Sequence, residues 1–257
     1  MSECQKVNKL TCYPGDLDLA RKVMARLGYS ATMIAEAGSD AYNYQGVGCP
    51  HNHAGISEGQ SVLDLGSGLG VDSFIAAGLV GTEGRVTGLD ISRKEVEHAA
   101  SRAKARDIKN LDFVHGDMEK MPFSDEQFDV VISNGAFCLA SDKAAAFREI
   151  HRVLKPGGQF SVACTTTKVD LDSDTNWPVC MRVFMPLEAA RPMLEEIGFR
   201  NVSVDDSDSK MTFEEEDLNV DTDSSRYKIH GNSEEFKHLE NFDMNSLCAR
   251  VVLLGIK

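Results

Sequence analysis

The sequence predicts an α/β fold built on a doubly wound, mostly parallel sheet, and three observations carry that prediction. Apolar strand-like runs alternate with helix-like segments from Ser61 to Cys164, the order that sandwiches a parallel sheet between helices. The first run passes straight into glycines at alternate positions, in Val62-Leu63-Asp64-Leu65-Gly66-Ser67-Gly68-Leu69-Gly70. The second strand ends in a carboxylate, in Gly88-Leu89-Asp90. Together these make half of a nucleotide-cofactor site.

Residues 1–55 form a cap. Up to about residue 40 the chain reads as helical, anchored by Leu17, Leu19, Val23, Leu27 and Ile34, and Tyr42 to Pro50 is a loop broken by glycine and proline. Residues 56–170 hold the cofactor core. Ser61 to Leu65 is its first strand, Val71 to Val80 its first helix and Arg85 to Leu89 its second strand. Ser92 caps a helix that runs to about Arg106. Leu111 to His115 is the third strand, and the β-branched run Phe128 to Ser133 is a buried fourth. Lys143 to Leu154 is a helix stopped by Lys155-Pro156-Gly157-Gly158, with Gln159 to Cys164 as strand five.

Residues 171–257 complete the fold as a C-terminal extension. Leu187 to Ile197 reads as a helix ended by Gly198, Asn201 to Val204 as a strand and Ser246 to Ile256 as the last strand. Between them, Asp205 to Asp243 carries 13 acidic and 4 basic residues. That balance describes a solvated insertion, with a flap over the substrate as the alternative.

Composition narrows the function. A chain of 257 residues suits one large α/β domain with additions. A net charge of −13 argues against a nucleic-acid partner, and Arg102, Lys104 and Arg106 read as the solvated face of a helix. No apolar run approaches membrane-spanning length and the start has no apolar signal core, so a cytoplasmic protein without membrane contact is expected. The seven cysteines are odd in number and lack Cys-x-x-Cys spacing. Reduced thiols and no metal site follow; Cys49-Pro50-His51-Asn52-His53 is read as a polar loop. The oligomeric state stays open.

The glycine spacing selects the cofactor. A dinucleotide turn places pyrophosphate on the helix N-terminus, where a preceding carboxylate would repel it. Here Asp64 stands directly before the turn. It suits a cationic amino-acid moiety, and so S-adenosylmethionine. Asp90, with Ile91 beside it, is placed to accept ribose hydroxyls, and Asp117 with Met118 ends strand three where an adenine amine can be held.

Asp64-Leu-Gly-Ser-Gly-Leu-Gly70, Gly88-Leu-Asp90, Gly116-Asp-Met-Glu-Lys-Met-Pro-Phe123, Phe128-Asp-Val-Val131 and Val153-Leu-Lys-Pro-Gly-Gly158 occur in this order. Together they resemble a class I S-adenosylmethionine-dependent methyltransferase over about residues 60–165. The resemblance implies a Rossmann-like sheet. Asp64, Gly66, Ser67, Gly68 and Gly70 would hold the methionyl end, Asp90 and Ile91 the ribose side and Asp117 and Met118 the adenine. Asn134 would face the methyl region.

The flanks are similar to the arsenite methyltransferase branch. Tyr44-Gln-Gly-Val-Gly-Cys49-Pro50 precedes the glycine loop, Cys138 follows strand four and Cys180 lies in Trp177-Pro-Val-Cys180. The resemblance implies trivalent arsenic held by Cys49, Cys138 and Cys180, since soft thiolates select soft centres. Two departures bear on it. The family's strand-four cysteine directly follows an asparagine, a position held here by Gly135, and its Gly-Glu-Cys-Leu-Gly-Gly-like stretch is here Pro178-Val-Cys180-Met-Arg-Val. Methylation of an organic small molecule, which needs a general base for an oxygen or carbon acceptor, is the alternative. A non-catalytic cofactor-binding partner and a nicotinamide dehydrogenase complete the set. Tyr42 and Tyr44 either close over a sulfonium by cation–π contact or pack the loop.

Overall fold

The central strand β1 (Ser61–Leu65) sends alternate side chains to opposite faces of a sheet, and the layers of the molecule follow from that alternation. The computed structural model describes residues 17–177, 179–211 and 242–257. Leu63 and Leu65 pack in one apolar cluster with Phe147 and Ile150, whereas Val62 packs in another with Phe74, Ala77 and Ala103. Helix α3 (Val71–Val80) and helix α4 (Arg93–Ala105) lie on the second side. Helix α5 (Lys143–Val153) and helix α7 (Leu187–Ile197) lie on the first.

Strands β2 (Arg85–Asp90), β3 (Leu111–His115), β4 (Phe128–Asn134), β5 (Leu154–Thr167), β7 (Arg200–Asp205) and β8 (Cys248–Ile256) complete the main sheet. Its order is β3-β2-β1-β4-β5-β8-β7, with the short β6 (Met185–Pro186) on the end of β5. Strand β8 runs antiparallel to both of its neighbours, while the ladders joining β1 to β5 are parallel. The chain winds outward from β1 through β2 to β3, then returns and winds the other way from β4. Such a reversal opens a crevice beyond the carboxyl ends of β1 and β4.

The expected elements appear, with several differences. Strand β5 begins at Leu154 rather than Gln159. The helix passes directly into it, and a register shift between Phe128 and Val130 accommodates the Lys155–Gly158 segment. Strand β8 begins at Cys248, because Met244–Leu247 forms a helical turn, α8, capped by Asp243. β6 carried no pattern long enough to be seen. Arg102 and Arg106, expected on a solvated face, instead grip Asp40 at 3.1 and 3.0 Å.

That grip fastens the cap. Helices α1 (Leu17–Arg26) and α2 (Ala31–Ala37) and a 3-10 turn, Gly38–Asn43, precede β1. Their apolar faces meet Val71 and Ile75 of α3. Asp40 is buried, and a buried carboxylate needs partners; the two guanidinium groups of α4 supply them, with Arg106 also 4.7 Å over the Phe74 ring. Cys4, Cys12 and most of the acidic stretch, residues 212–241, lie outside the described residues. Helix α6 (Val179–Arg182) precedes β6. No helix among the described residues is long and apolar enough to cross a membrane.

Phe147 of α5 centres the larger cluster, with Phe137 at 4.2, Phe160 at 5.5 and Phe199 at 6.4 Å between ring centroids. Phe147→Ala should cost about 3–5 kcal/mol in chemical denaturation, because the surrounding rings are locked to the sheet and collapse poorly. A loss below about 1 kcal/mol would show that this cluster is not the core.

Candidate active site

The loop after β1 sits in the crevice, and its glycines are required by backbone shape. Gly66, Gly68 and Gly70 have φ of +67°, +51° and +86°, values that side chains disfavour. The amides of Gly66 and Ser67 donate to the Leu89 carbonyl at 2.7 and 3.0 Å, lashing the loop to the end of β2. At Gly66 a Cβ would come within 2.1 Å of the Ala136 Cβ, so residue 136 closes one side. At Gly68 a Cβ would meet nothing within 4 Å. That side stands open.

Asp90 braces this loop. One carboxylate oxygen accepts from the Gly68 amide at 2.8 Å and the other from the Ser92 amide at 2.8 Å. Ser92 in turn caps α4, its hydroxyl accepting from the Glu95 amide. A cleft of about 210 Å³ opens here, lined by Gly66, Asp90, Ile91, Asp117, Met118 and Ala136 among others. Five cofactor residues named from the sequence therefore share one cleft. Ile91, 68% exposed, gives it an apolar wall. Asp117 accepts from the Glu119 amide at 2.9 Å, which fixes its carboxylate at the end of β3.

Asp64 lies beneath the loop and not in the cleft. It falls on the same face of β1 as Val62, and its carboxylate accepts from the Ser73 hydroxyl of α3 at 2.6 Å. Burial first, and then the nearby Asp72 charge, push its carboxyl up to about 8. No lysine or arginine pairs with it among the described residues.

The structure adds a residue that the sequence left unmarked. Asp72, in the first turn of α3, accepts on Oδ1 from the Tyr29 hydroxyl at 2.6 Å and from His51 Nε2 at 2.9 Å. A carboxylate can only accept, which assigns that proton to Nε2. Its Oδ2 accepts from Asn134 Nδ2 at 3.0 Å. Asn134 belongs to the Val130-Ile132-Asn134 face of β4 and is tied to this network, outside the residues lining the cleft. Its Oδ1 accepts from the Val47 and Gly48 amides at 2.8 and 3.2 Å, and its Nδ2 also meets the Tyr29 hydroxyl and the Gly48 carbonyl, each at 2.9 Å. Tyr44 is buried and donates to the Gly48 carbonyl at 2.9 Å, which is the loop-packing alternative for that ring; Tyr42 is exposed. The position of Asp72 is legible as a helix-start acid. Its partners come from residues 21 to 62 positions away in sequence and give no local pattern.

The cysteines divide. Cys49 is buried in the cap cluster with Tyr29, Tyr44 and Val71, on the α3 side. Burial, with the Asp72 charge second, pushes its thiol up to about 12. Cys138 packs in the other cluster with Cys164, on the α5 side, its thiol donating to the Gly135 carbonyl at 3.2 Å. Burial raises both of those thiols, and Cys138 adds to the rise at Cys164. Among the described residues no three His, Cys, Asp or Glu side chains gather as a metal-type site. The Cys180 side chain lies outside what is described. Cys248 is buried with Trp177 and Met181.

The buried Ser67 hydroxyl has no hydrogen-bond partner among the described residues, and a buried orphan of this kind calls for a ligand or water. With the open side of Gly68, it fits a polar ligand lying on the loop.

Comparison with known proteins agrees. A family model described as a methyltransferase domain matches residues 56–179. An arsenite methyltransferase of Halobacterium salinarum is 33% identical over 220 residues, covering 82% of this chain and 55% of that protein. A demethylmenaquinone methyltransferase of Listeria welshimeri is 36% identical over 129 residues, covering 50% of this chain and 52% of that protein. The chain thus spans about half the length of these curated relatives. Among solved structures, an arsenic (III) S-adenosylmethionine methyltransferase from Chlamydomonas reinhardtii aligns with a TM-score of 0.57 at 25% identity, over 91% of this chain and 72% of that one.

Two outcomes follow from the geometry. Asp90→Ala removes both braces of the loop, and charged hydrogen bonds are each worth about 1.5–3 kcal/mol. Calorimetric affinity for S-adenosylhomocysteine should fall roughly 10- to 100-fold; unchanged affinity would remove Asp90 from the site. Asp64 titrates near 3.8 when exposed and at about 8 in the fold. Between those limits the folded state holds the extra proton, so stability falls as pH rises. In thermal melts without cofactor, Asp64→Asn should flatten that fall and melt above the parent at pH values past 8. Parallel pH profiles would refute it.

Proposed function

The chain carries a class I S-adenosylmethionine-dependent methyltransferase domain resembling the arsenite branch, and from that premise we propose that it methylates trivalent arsenic. The observation that carries the acceptor is where the similarity extends. The domain core occupies residues 56–179. The demethylmenaquinone methyltransferase matches half of this chain, a length the core nearly accounts for. The arsenite methyltransferase matches 82% of it and must therefore include flanking sequence. In this reading the acceptor is chosen by those flanks, where Cys49 and Cys180 lie.

S-adenosylmethionine, the cofactor, supplies an electrophilic methyl group when bound. In this reading Gly66, Ser67, Gly68 and Gly70 approach its methionyl end with Asp64 beneath them. Asp90 and Ile91 hold the ribose side, and Asp117 and Met118 the adenine. Cys49 and Cys180 would bind arsenic. Each thiol exchanges with a hydroxide ligand of arsenite, its proton leaving with that hydroxide as water. No free thiolate is needed, which suits a Cys49 thiol held near 12. Cys138 packs with Cys164 on the other side of the sheet, so a pair of thiols is the proposed set, with Cys138 behind it.

The chemistry agrees with the side chains at hand. Arsenic attacks through a lone pair and no proton has to be removed, so positioning is the main requirement. The titratable groups lining the cleft are Asp90, Asp117 and Glu119, and each accepts from backbone amides, Glu119 from those of Ser141 and Asp142. His115 instead lies 3.4 Å from Arg93, His51 is committed to Asp72, and His151 packs on Phe199 at 5.1 Å between rings.

Incubated with arsenite, S-adenosylmethionine and excess thiol, the protein should release methylated arsenic, identified by chromatography with mass spectrometry. Cys49→Ser should abolish that product while S-adenosylhomocysteine binding persists. No product from the reduced parent protein would overturn the arsenic reading. Methylation of a demethylmenaquinol under the same conditions would replace it with the carbon acceptor.

A further inference from the structure

The segment carrying Cys49 is held by its backbone, and the anchor is Asn134, which is not among the residues lining the cleft. Val47 and Gly48 donate their amides to Asn134 Oδ1, and the Gly48 carbonyl receives both Asn134 Nδ2 and the Tyr44 hydroxyl. Asn134 thus holds both the amide and the carbonyl of Gly48, the residue before Cys49. On the other side of Cys49, the short turn Pro50–Asn52 carries His51, whose ring is bound to Asp72. Asp72 meets Asn134 as well, so one carboxylate fixes the Cys49 segment from both directions. Tyr29 closes the set from the cap by donating to Asp72 and accepting from Asn134.

We propose that Asp72 is the positioning residue of the acceptor site, fixing Cys49 through Asn134, His51 and Tyr29 and acting on acceptor binding rather than on cofactor binding. This rests on the reading of Cys49 as an acceptor ligand. Asp72 is not among the residues lining the cleft, and its three partners come from the cap, the Cys49 turn and the end of β4. It holds three segments at one point. Room there is scarce: a Cβ at Gly46 would come within 2.1 Å of Asn134 Nδ2, so only glycine fits against the Asn134 side chain.

The carboxylate is needed for its charge type as well as its shape. All three partners donate, and both of its oxygens accept. An asparagine at position 72 offers one acceptor and one donor. With its NH2 toward Asn134, two donors face each other; with its NH2 toward Tyr29 and His51, the hydroxyl must turn and the ring must change tautomer to accept, which gives up the arrangement that Asp72 imposes. Asp72→Asn should therefore loosen the segment although the side chain keeps its size. Groups that support a soft-centre ligand from behind typically change affinity 10- to 100-fold when altered.

The test compares Asp72→Asn with the parent and with Ser73→Ala, its neighbour on α3. Three quantities are read: alkylation rate of Cys49 by iodoacetamide with peptide mass spectrometry, S-adenosylhomocysteine affinity by calorimetry, and the KM for arsenite. The expected result for Asp72→Asn is Cys49 alkylation faster by roughly 10- to 100-fold, cofactor-product affinity within about twofold, and a raised arsenite KM. Ser73→Ala should leave Cys49 protected. Cys49 alkylated as slowly as in the parent, or S-adenosylhomocysteine affinity falling by the same factor, would overturn the proposal. If Asp72→Asn fails to fold, Tyr29→Phe removes one donor of the set and is judged by the same two criteria, with a smaller increase expected. If the parent does not methylate arsenite, the arsenic reading fails by itself. Alkylation and calorimetry then still decide the role of Asp72.

Discussion

The reversal of winding between β1 and β4 is the constraint on which the rest of this structure depends. Parallel strands in sequence cannot pair on both sides of β1 without one return across the sheet, and that return leaves a gap beyond two adjacent strand ends. The glycine loop after β1 and Asn134 at the end of β4 both stand at this gap. One side of it receives the cofactor loop, braced by Asp90. The other receives the cap segment, tied to Asn134. The cofactor loop and the cap segment both come to this gap because the sheet parts there.

Around this gap the protein places acids where it has few cations. Asp64, Asp72 and Asp90 are all buried, and none forms an ion pair with a lysine or arginine among the described residues. Burying a carboxylate costs several kcal/mol unless it is compensated. Asp90 is compensated by two backbone amides, Asp72 by three side-chain donors, and Asp64 by the hydroxyl and backbone of Ser73 and a shift toward its neutral form. The negative character that remains suits a ligand carrying a sulfonium and an ammonium. Asp40 offers the contrast: its charge is matched by Arg102 and Arg106, and its work is to fasten the cap.

The sequence made the core legible because its signals are local. Strand, glycine turn and terminal acid occupy one run from Val62 to Asp90, and the elements it implies appear within a residue or two of their expected ends. Gly66, Asp90, Ile91, Asp117 and Met118 were readable for the same reason, since each sits at a strand end that its own neighbours define. Asp72 was not. A helix-start acid looks the same whether it faces water or holds three segments together, and only the approach of Tyr29, His51 and Asn134 separates the two. The start of β5 was missed because Pro156 and two glycines look like a stop, yet a bulge lets the strand carry them. Arg102 and Arg106 look solvated in the sequence because their partner, Asp40, lies more than 60 residues earlier.

The cysteines show how a linear resemblance and a folded arrangement part company. Cys49 and Cys138 flank the same gap in the sequence order, but strand parity separates them. Val162 and Cys164 of β5 share a face with Cys138, while Ala163 between them faces Gly48, whose Cβ would lie 3.0 Å away. Cys49 therefore reaches the gap from the α3 side and Cys138 from the α5 side. A displacement of three residues after β4, from position 135 to Cys138, suffices to turn a thiol from the loop into the core, where a 3-10 turn, Phe137–Leu139, buries it. Gly135 stays at the loop, 3.2 Å from the Gln45 carbonyl by its Cβ position. It leaves space rather than sulfur against the cap segment. The three-residue displacement thus leaves Cys49 and Cys138 in different apolar clusters, with only Cys49 beside the segment that Asn134 holds.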